Sequence, residues 1–350
     1  MNQPLLLRQI AWTGLIASPL LGALSGIPLW AQPASQLLPS MVHLLTLGFL
    51  VPLFFASFLE LPGPVVWPRL SATLPWLLSA GLMAFVVGML GSNRWAFYLG
   101  GHYAAPMALY LFSLVAARTA WARRGKGGLE GLGPVVVGLF VVANWGGMMV
   151  LDRFYGGKYA FFSASVVAAH ALIALFFFVL PWLYHAHTGR ATPWPLWAAG
   201  GLALAGYLYG WIAEQPLYLD LAVMASGIGL VIFGRSFDQP VRAVRTLKIG
   251  WYLAGGGLIL ASTGRGLAVT EPAGLLSFGI FLLLGLVLPT TLQTQAALRP
   301  LKRADWSLLG AMLLAWCLAL GWHWELPLGP LWGAYAVLVG FWAWPMARPR

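Results

Sequence analysis

Charge is what this 350-residue chain has least of: 8% of its residues are Asp, Glu, Lys or Arg, against about 25% in a soluble globular protein. Acidic residues number nine, and none falls in the middle of an apolar run; Glu60, Glu214, Glu271 and Asp220 lie near run ends. An intramembrane chain of carboxylates, the usual means of coupling transport to protons, is therefore not expected. A single cysteine, Cys317, rules out a disulfide framework and any Cys-rich zinc or iron–sulfur site made from this chain alone. A polar spacer is also missing, so no separate soluble domain is expected within residues 1–350.

What is present is hydrophobic sequence: 60% of the residues, with a mean hydropathy of +0.80. Apolar segments fall at 8–31, 37–59, 70–91, 95–117, 131–151, 160–184, 194–213, 217–234, 247–264, 272–294, 306–322 and 328–347. At about 22 residues per crossing, twelve spans would use roughly 264 residues. The first run, Ile10 to Trp30, exceeds the roughly 7–15 residues of a signal-peptide core and is expected to be retained. The expectation is an all-α polytopic membrane protein of about twelve helices, forming one integral domain with the lipid bilayer as its solvent.

Twelve spans also sort the charges. With the N-terminus in the cytoplasm, 16 of the 20 basic residues fall on the inner side, leaving Arg94, Arg153, Lys158 and Arg265 outside. Cytoplasmic loops carry such an excess of Lys and Arg, so both termini are expected in the cytoplasm. The net charge of +11 is thereby assigned to membrane orientation, not to nucleic acid. Abundant glycine suits close helix packing. Trp30, Trp67, Trp95, Trp182, Trp194 and Trp324 lie at span ends and read as interfacial anchors.

Ionisable residues inside spans carry the functional signal. His185 and His187 follow span 6, and His323 precedes span 12, whereas His43, His102 and His170 lie within apolar runs. From a rise of about 1.5 Å per residue they sit roughly 9, 10 and 15 Å below the outer boundary, with Asn144 in the same layer. Gln36, Ser40, His43 and Thr46 are spaced to share one helical face. Gly100-Gly101 before His102 removes bulk that either a planar cofactor or a neighbouring helix would fill. Neutral imidazole suits iron and copper, so His43, His102 and His170, with Asn144 nearby, are the candidate cofactor- or metal-binding residues. Each histidine could instead tie helices together through a backbone carbonyl.

Spans 2, 6 and 10 share a pattern: His43 precedes Pro52 by nine residues, while His170 and Phe278 precede Pro181 and Pro289 by eleven. The run Met41-Val42-His43-Leu44-Leu45-Thr46-Leu47-Gly48-Phe49-Leu50, closing near Leu61-Pro62-Gly63-Pro64, resembles helix 2 of proteins related to the haem-copper oxidase catalytic subunit, including NnrS-type proteins. Ala169-His170-Ala171-Leu172 resembles that family's second His-bearing helix, and Gly101-His102 a His position of its shorter relatives. The resemblance implies twelve helices in a quasi-threefold bundle and a haem ligand near the outer end of helix 2. It further implies a bacterial inner-membrane setting in respiration, denitrification or the nitric-oxide response, with a respiratory membrane complex as partner. Spans 7 and 10 lack the histidines with which that family builds its copper and haem centre. The expectation is a haem protein, or one holding copper or another metal, without terminal-oxidase turnover. A transporter and a cofactor-free structural or assembly subunit are the alternatives.

Overall fold

A computed structural model describes residues 3–24, 34–60, 66–91, 93–122, 132–156, 164–237, 242–265, 278–296, 304–323 and 328–347. Gln36 and His323 lie in described helices, but their side chains are not described. The segment 61–65, Glu271, Lys158, Trp30 and Trp324 lie outside the described residues.

Hydrocarbon leaves a backbone no partner but itself, so an apolar chain of this kind must satisfy its amides within helices. The described residues contain no strand and form twelve helical rods. These are α1 (Gln3–Leu24), α2 (34–59), α3 (Pro68–Leu90), α4 (Arg94–Ala122), α5 (Gly133–Phe154), α6 (164–188), α7 (Trp194–Ile212), α8 (Pro216–Gly234), α9 (242–265), α10 (278–296), α11 (Ala304–His323) and α12 (Gly329–Ala347). Seven of them, α1 to α6 and α8, are long and apolar enough to cross a membrane. The rest fall short for readable reasons. Much of α7 is Trp, Tyr and Gly, which count little toward hydropathy, and α9 begins with Arg242, Arg245 and Lys248, while α10 to α12 carry apolar helix over 278–294, 307–319 and 329–341 among the residues whose side chains are described.

The chain divides into two compact units, Met1–Phe162 with Pro327–Arg350, and Ser163–Leu326. In the first, α1 packs between α12 and α2, α3 lies along α4, and α4 along α5. In the second, α7 lies along α8, α8 along α9, and α11 contacts both α9 and α10. Small residues set the closest approaches, as expected where lipid supplies no hydrophobic drive between helices. A Cβ added to Gly227 of α8 would stand 2.5 Å from the carbonyl oxygen of Gly255 in α9, and one added to Gly255 2.6 Å from that of Gly227. The two backbones touch there.

Four rods are interrupted in one way. π-helical turns occupy Thr46–Leu50 in α2, Leu99–Ala104 in α4, Ala174–Val179 in α6 and Leu283–Val287 in α10. Each ends two residues before a proline: Pro52, Pro106, Pro181 and Pro289. In each, the residue just before the proline donates its N–H five residues back: Val51 to Thr46, Ala105 to Gly100, Leu180 to Leu175 and Leu288 to Leu283. Proline has no N–H, and its ring crowds the carbonyl four residues back. Wrapping one extra residue into the turn relieves that crowding. The likeness of spans 2, 6 and 10 thus takes backbone form, and span 4 belongs with them.

One interfacial assignment is corrected. Trp182, directly after Pro181, is 2% exposed and stacks on Phe178 at 6.2 Å and 9°. It belongs to the core of the second unit. Trp67, Trp95 and Trp194 are exposed as expected of anchors.

Candidate functional site

His43 stands one turn into the apolar span Pro39–Leu59. Its Nδ1 lies 2.7 Å from the carbonyl oxygen of Pro39, one turn earlier on α2. A carbonyl can only accept, so Nδ1 carries the proton and Nε2 presents a lone pair. The ring leans on Phe85 of α3, with centroids 4.8 Å apart at 51°. Of the polar stripe on this helix, Thr46 donates to the Val42 carbonyl at 2.9 Å, and Ser40 is fully buried.

His102 sits inside the π turn of α4. Its Nδ1 is 2.8 Å from the carbonyl oxygen of Gly147 on α5, so the bond crosses between helices and fixes the same tautomer. Tyr98 lies parallel to the imidazole at 5.3 Å and 12°, and Tyr103 meets it edge-on at 4.8 Å and 74°. The two phenol oxygens are 3.0 Å apart. Phe154 continues the stack on Tyr98 at 4.0 Å, and the Arg94 guanidinium lies 4.4 Å over the Phe154 ring while donating to the Phe154 carbonyl. Neither His43 nor His102 has a hydrogen bond to Nε2 among the described residues.

The space beside Gly100 and Gly101 is taken by a helix. A Cβ at Gly100 would come within 2.3 Å of the Phe85 amide nitrogen, and one at Gly101 within 2.4 Å of the Phe85 ring. A cofactor ring on these histidines would have to lie on another side.

No family model, curated protein or solved structure matches the chain. The functional reading therefore stands on the residues and their geometry.

Asn144 takes its place on the exposed stripe of α5, in line with Val137, Phe140, Val141 and Met148. Its amide donates to the Phe140 carbonyl at 3.0 Å. Gly147, on the buried side of the same helix, makes the contact with His102. His170 lies in the second unit, half-buried on α6 four residues before its π turn. Among the described residues, no three His, Cys, Asp or Glu side chains form a group that could hold a metal ion.

Sequence reasoning did not find Tyr98, Tyr103 or the Gly147 carbonyl. The tyrosines were legible in principle, because Tyr98 and Tyr103 sit four residues before His102 and next to it. The carbonyl had no residue-type signal at all.

Proposed function

We propose that the protein is a twelve-span, haem- or metal-binding protein of the bacterial inner membrane, built on a scaffold like that of the haem-copper oxidase catalytic subunit and its NnrS-type relatives. In this reading both termini are cytoplasmic, and the setting is respiration, denitrification or the nitric-oxide response, alongside a respiratory membrane complex. The observation that carries it is the shared state of His43 and His102. Each holds its Nδ1 proton on a backbone carbonyl and leaves Nε2 as a donor atom, the arrangement by which proteins orient and strengthen a metal-ligating imidazole. An intramembrane imidazole with half its bonding capacity unused is a functional site by default.

The residues present fit ligation of such a group one histidine at a time. His43 or His102 would hold haem iron, or copper, through Nε2, with His170 as the third candidate. A bound haem would supply reversible binding of a small diatomic ligand or of an electron. Turnover of oxygen or nitric oxide is not expected, since α7 and α10 contain no histidine.

A cofactor-free structural or assembly subunit is the second reading, favoured by the absence of a three-ligand group among the described residues. There the carbonyl bonds of His43 and His102 only brace α2 and join α4 to α5. A visible spectrum of the purified protein, with metal analysis, separates the two. A Soret band that His43→Ala or His102→Ala removes or shifts, and that His185→Ala leaves alone, supports the first. A colourless, metal-free protein that takes up no added haem refutes it.

A further inference from the structure

We propose that Pro106 is a positioning residue for His102, acting through the π turn it ends to set the rotation at which the imidazole meets the Gly147 carbonyl. This rests on reading His102 as a ligand residue.

An interior proline does not by itself make a π turn. Pro19 in α1 and Pro75 in α3 sit within plain α-helix. At Pro106 the rod is gripped on both sides of the irregularity. Upstream, a Cβ on Gly88 of α3 would lie 2.1 Å from the Phe97 nitrogen, and at the start of the turn itself one on Gly100 would lie 2.5 Å from the Gly81 carbonyl oxygen. Downstream, a Cβ on Gly81 would lie 2.5 Å from the Ala105 nitrogen, and Tyr110 packs on Phe140 of α5 at 5.1 Å. Each segment of α4 thus has its own fixed facing, and the two facings differ by the extra residue that the π turn absorbs.

One residue of an α-helix corresponds to about 100° of rotation and 1.5 Å of rise. His102 lies within the turn, and its carbonyl is the one that the Pro106 ring would crowd in regular α-helix. Alanine at 106 brings back an N–H that seeks this carbonyl. The turn then winds as α-helix, and the segment bearing His102 swings by about that one-residue step. A 2.8 Å bond to Gly147 cannot survive such a swing. π turns concentrate at functional sites, and this one sits where a ligand must be aimed.

The full-length protein in detergent micelles, labelled with 15N-histidine, tests the proposal. The His102 signals are assigned by their loss in His102→Gln. In the unmodified protein they should report a protonated Nδ1 and a bare Nε2. Pro106→Ala should abolish that signature, while Pro75→Ala keeps it. Deleting Ala104 in the Pro106→Ala background removes the extra residue and should restore it, because the two segments regain their phase. Pro106→Ala retaining the signature overturns the proposal, as does a deletion variant that fails to regain it. Should Pro106→Ala not fold, the deletion variant decides alone. Added haem is the second readout: binding should weaken at least tenfold in Pro106→Ala and recover with the deletion. If the unmodified protein binds no haem while the nitrogen signals respond as expected, the ligand reading fails and the positioning stands.

Discussion

Replacing Gly100 by alanine is a test of how tightly the His102 helix is clamped. The new methyl would lie 2.3 Å from the Phe85 nitrogen, 2.5 Å from the Gly81 oxygen and 2.9 Å from the Ala84 carbonyl carbon. All three are backbone atoms, so no side chain can turn aside. Ordinary carbon contacts begin near 3.5 Å, and α3 and α4 would have to part by about 1 Å along the contact. Overpacking of this kind costs about 1–3 kcal/mol. Gly256 and Gly257 in α9 are the controls, because nothing lies within 4 Å of a Cβ at either. Alanine there removes a glycine from a helix interior, worth up to about 1 kcal/mol in favour of the variant. Thermal unfolding in detergent, followed by the fluorescence of the 19 tryptophans, should show Gly100→Ala several degrees below the parent. Gly256→Ala should match the parent or exceed it. Equal midpoints for the two variants would refute the clamp.

Two further outcomes follow from other parts of the molecule. Trp251 and Thr290 are fully buried and joined by a 3.1 Å bond from the indole Nε1 to the Thr290 hydroxyl. Thr290→Val keeps the shape but strands the indole N–H, and should cost about 1–3 kcal/mol, read as a lowered unfolding midpoint; an unchanged midpoint would show that the indole finds another acceptor. Reporter fusions at Gly127, Gly156 and Gln215 should read inside, outside and outside; since α7 is not among the seven rods long and apolar enough to cross, an inside signal at Gln215 would show that it does not cross.

The rods were legible in the sequence because solvation in lipid leaves one solution for an apolar backbone. Hydropathy marked them, and prolines and glycines marked their ends. Which side of a rod faces a neighbour was much less legible. In α5 the exposed stripe of Val137, Phe140, Val141 and Met148 is as apolar as the buried stripe of Val136, Leu139, Ala143 and Val150. Lipid and protein core ask for the same residues, so composition could give Asn144 a depth but not a direction. Trp182 went astray for a related reason. A tryptophan at a span end suits the interface, yet Trp182, one turn after Phe178, falls on the buried side of α6 against that ring.

The π turns explain why the spacing of His and Pro was visible while its meaning was not. A proline in an apolar helix reads alike at Pro75 and at Pro106, and only the grip of α3 and α5 on α4 separates a plain helix from one that stores an extra residue. That grip also bears on the choice between ligand and brace. A brace needs a donor and an acceptor brought together, which any regular helix with a suitably placed histidine can supply. At His102 the chain instead keeps an irregular turn, one glycine against the α3 backbone and the next against the Phe85 ring, and a tyrosine stacked along the imidazole. This fixes the direction of the ring and not merely its attachment. Direction matters most to Nε2, the nitrogen without a hydrogen bond among the described residues.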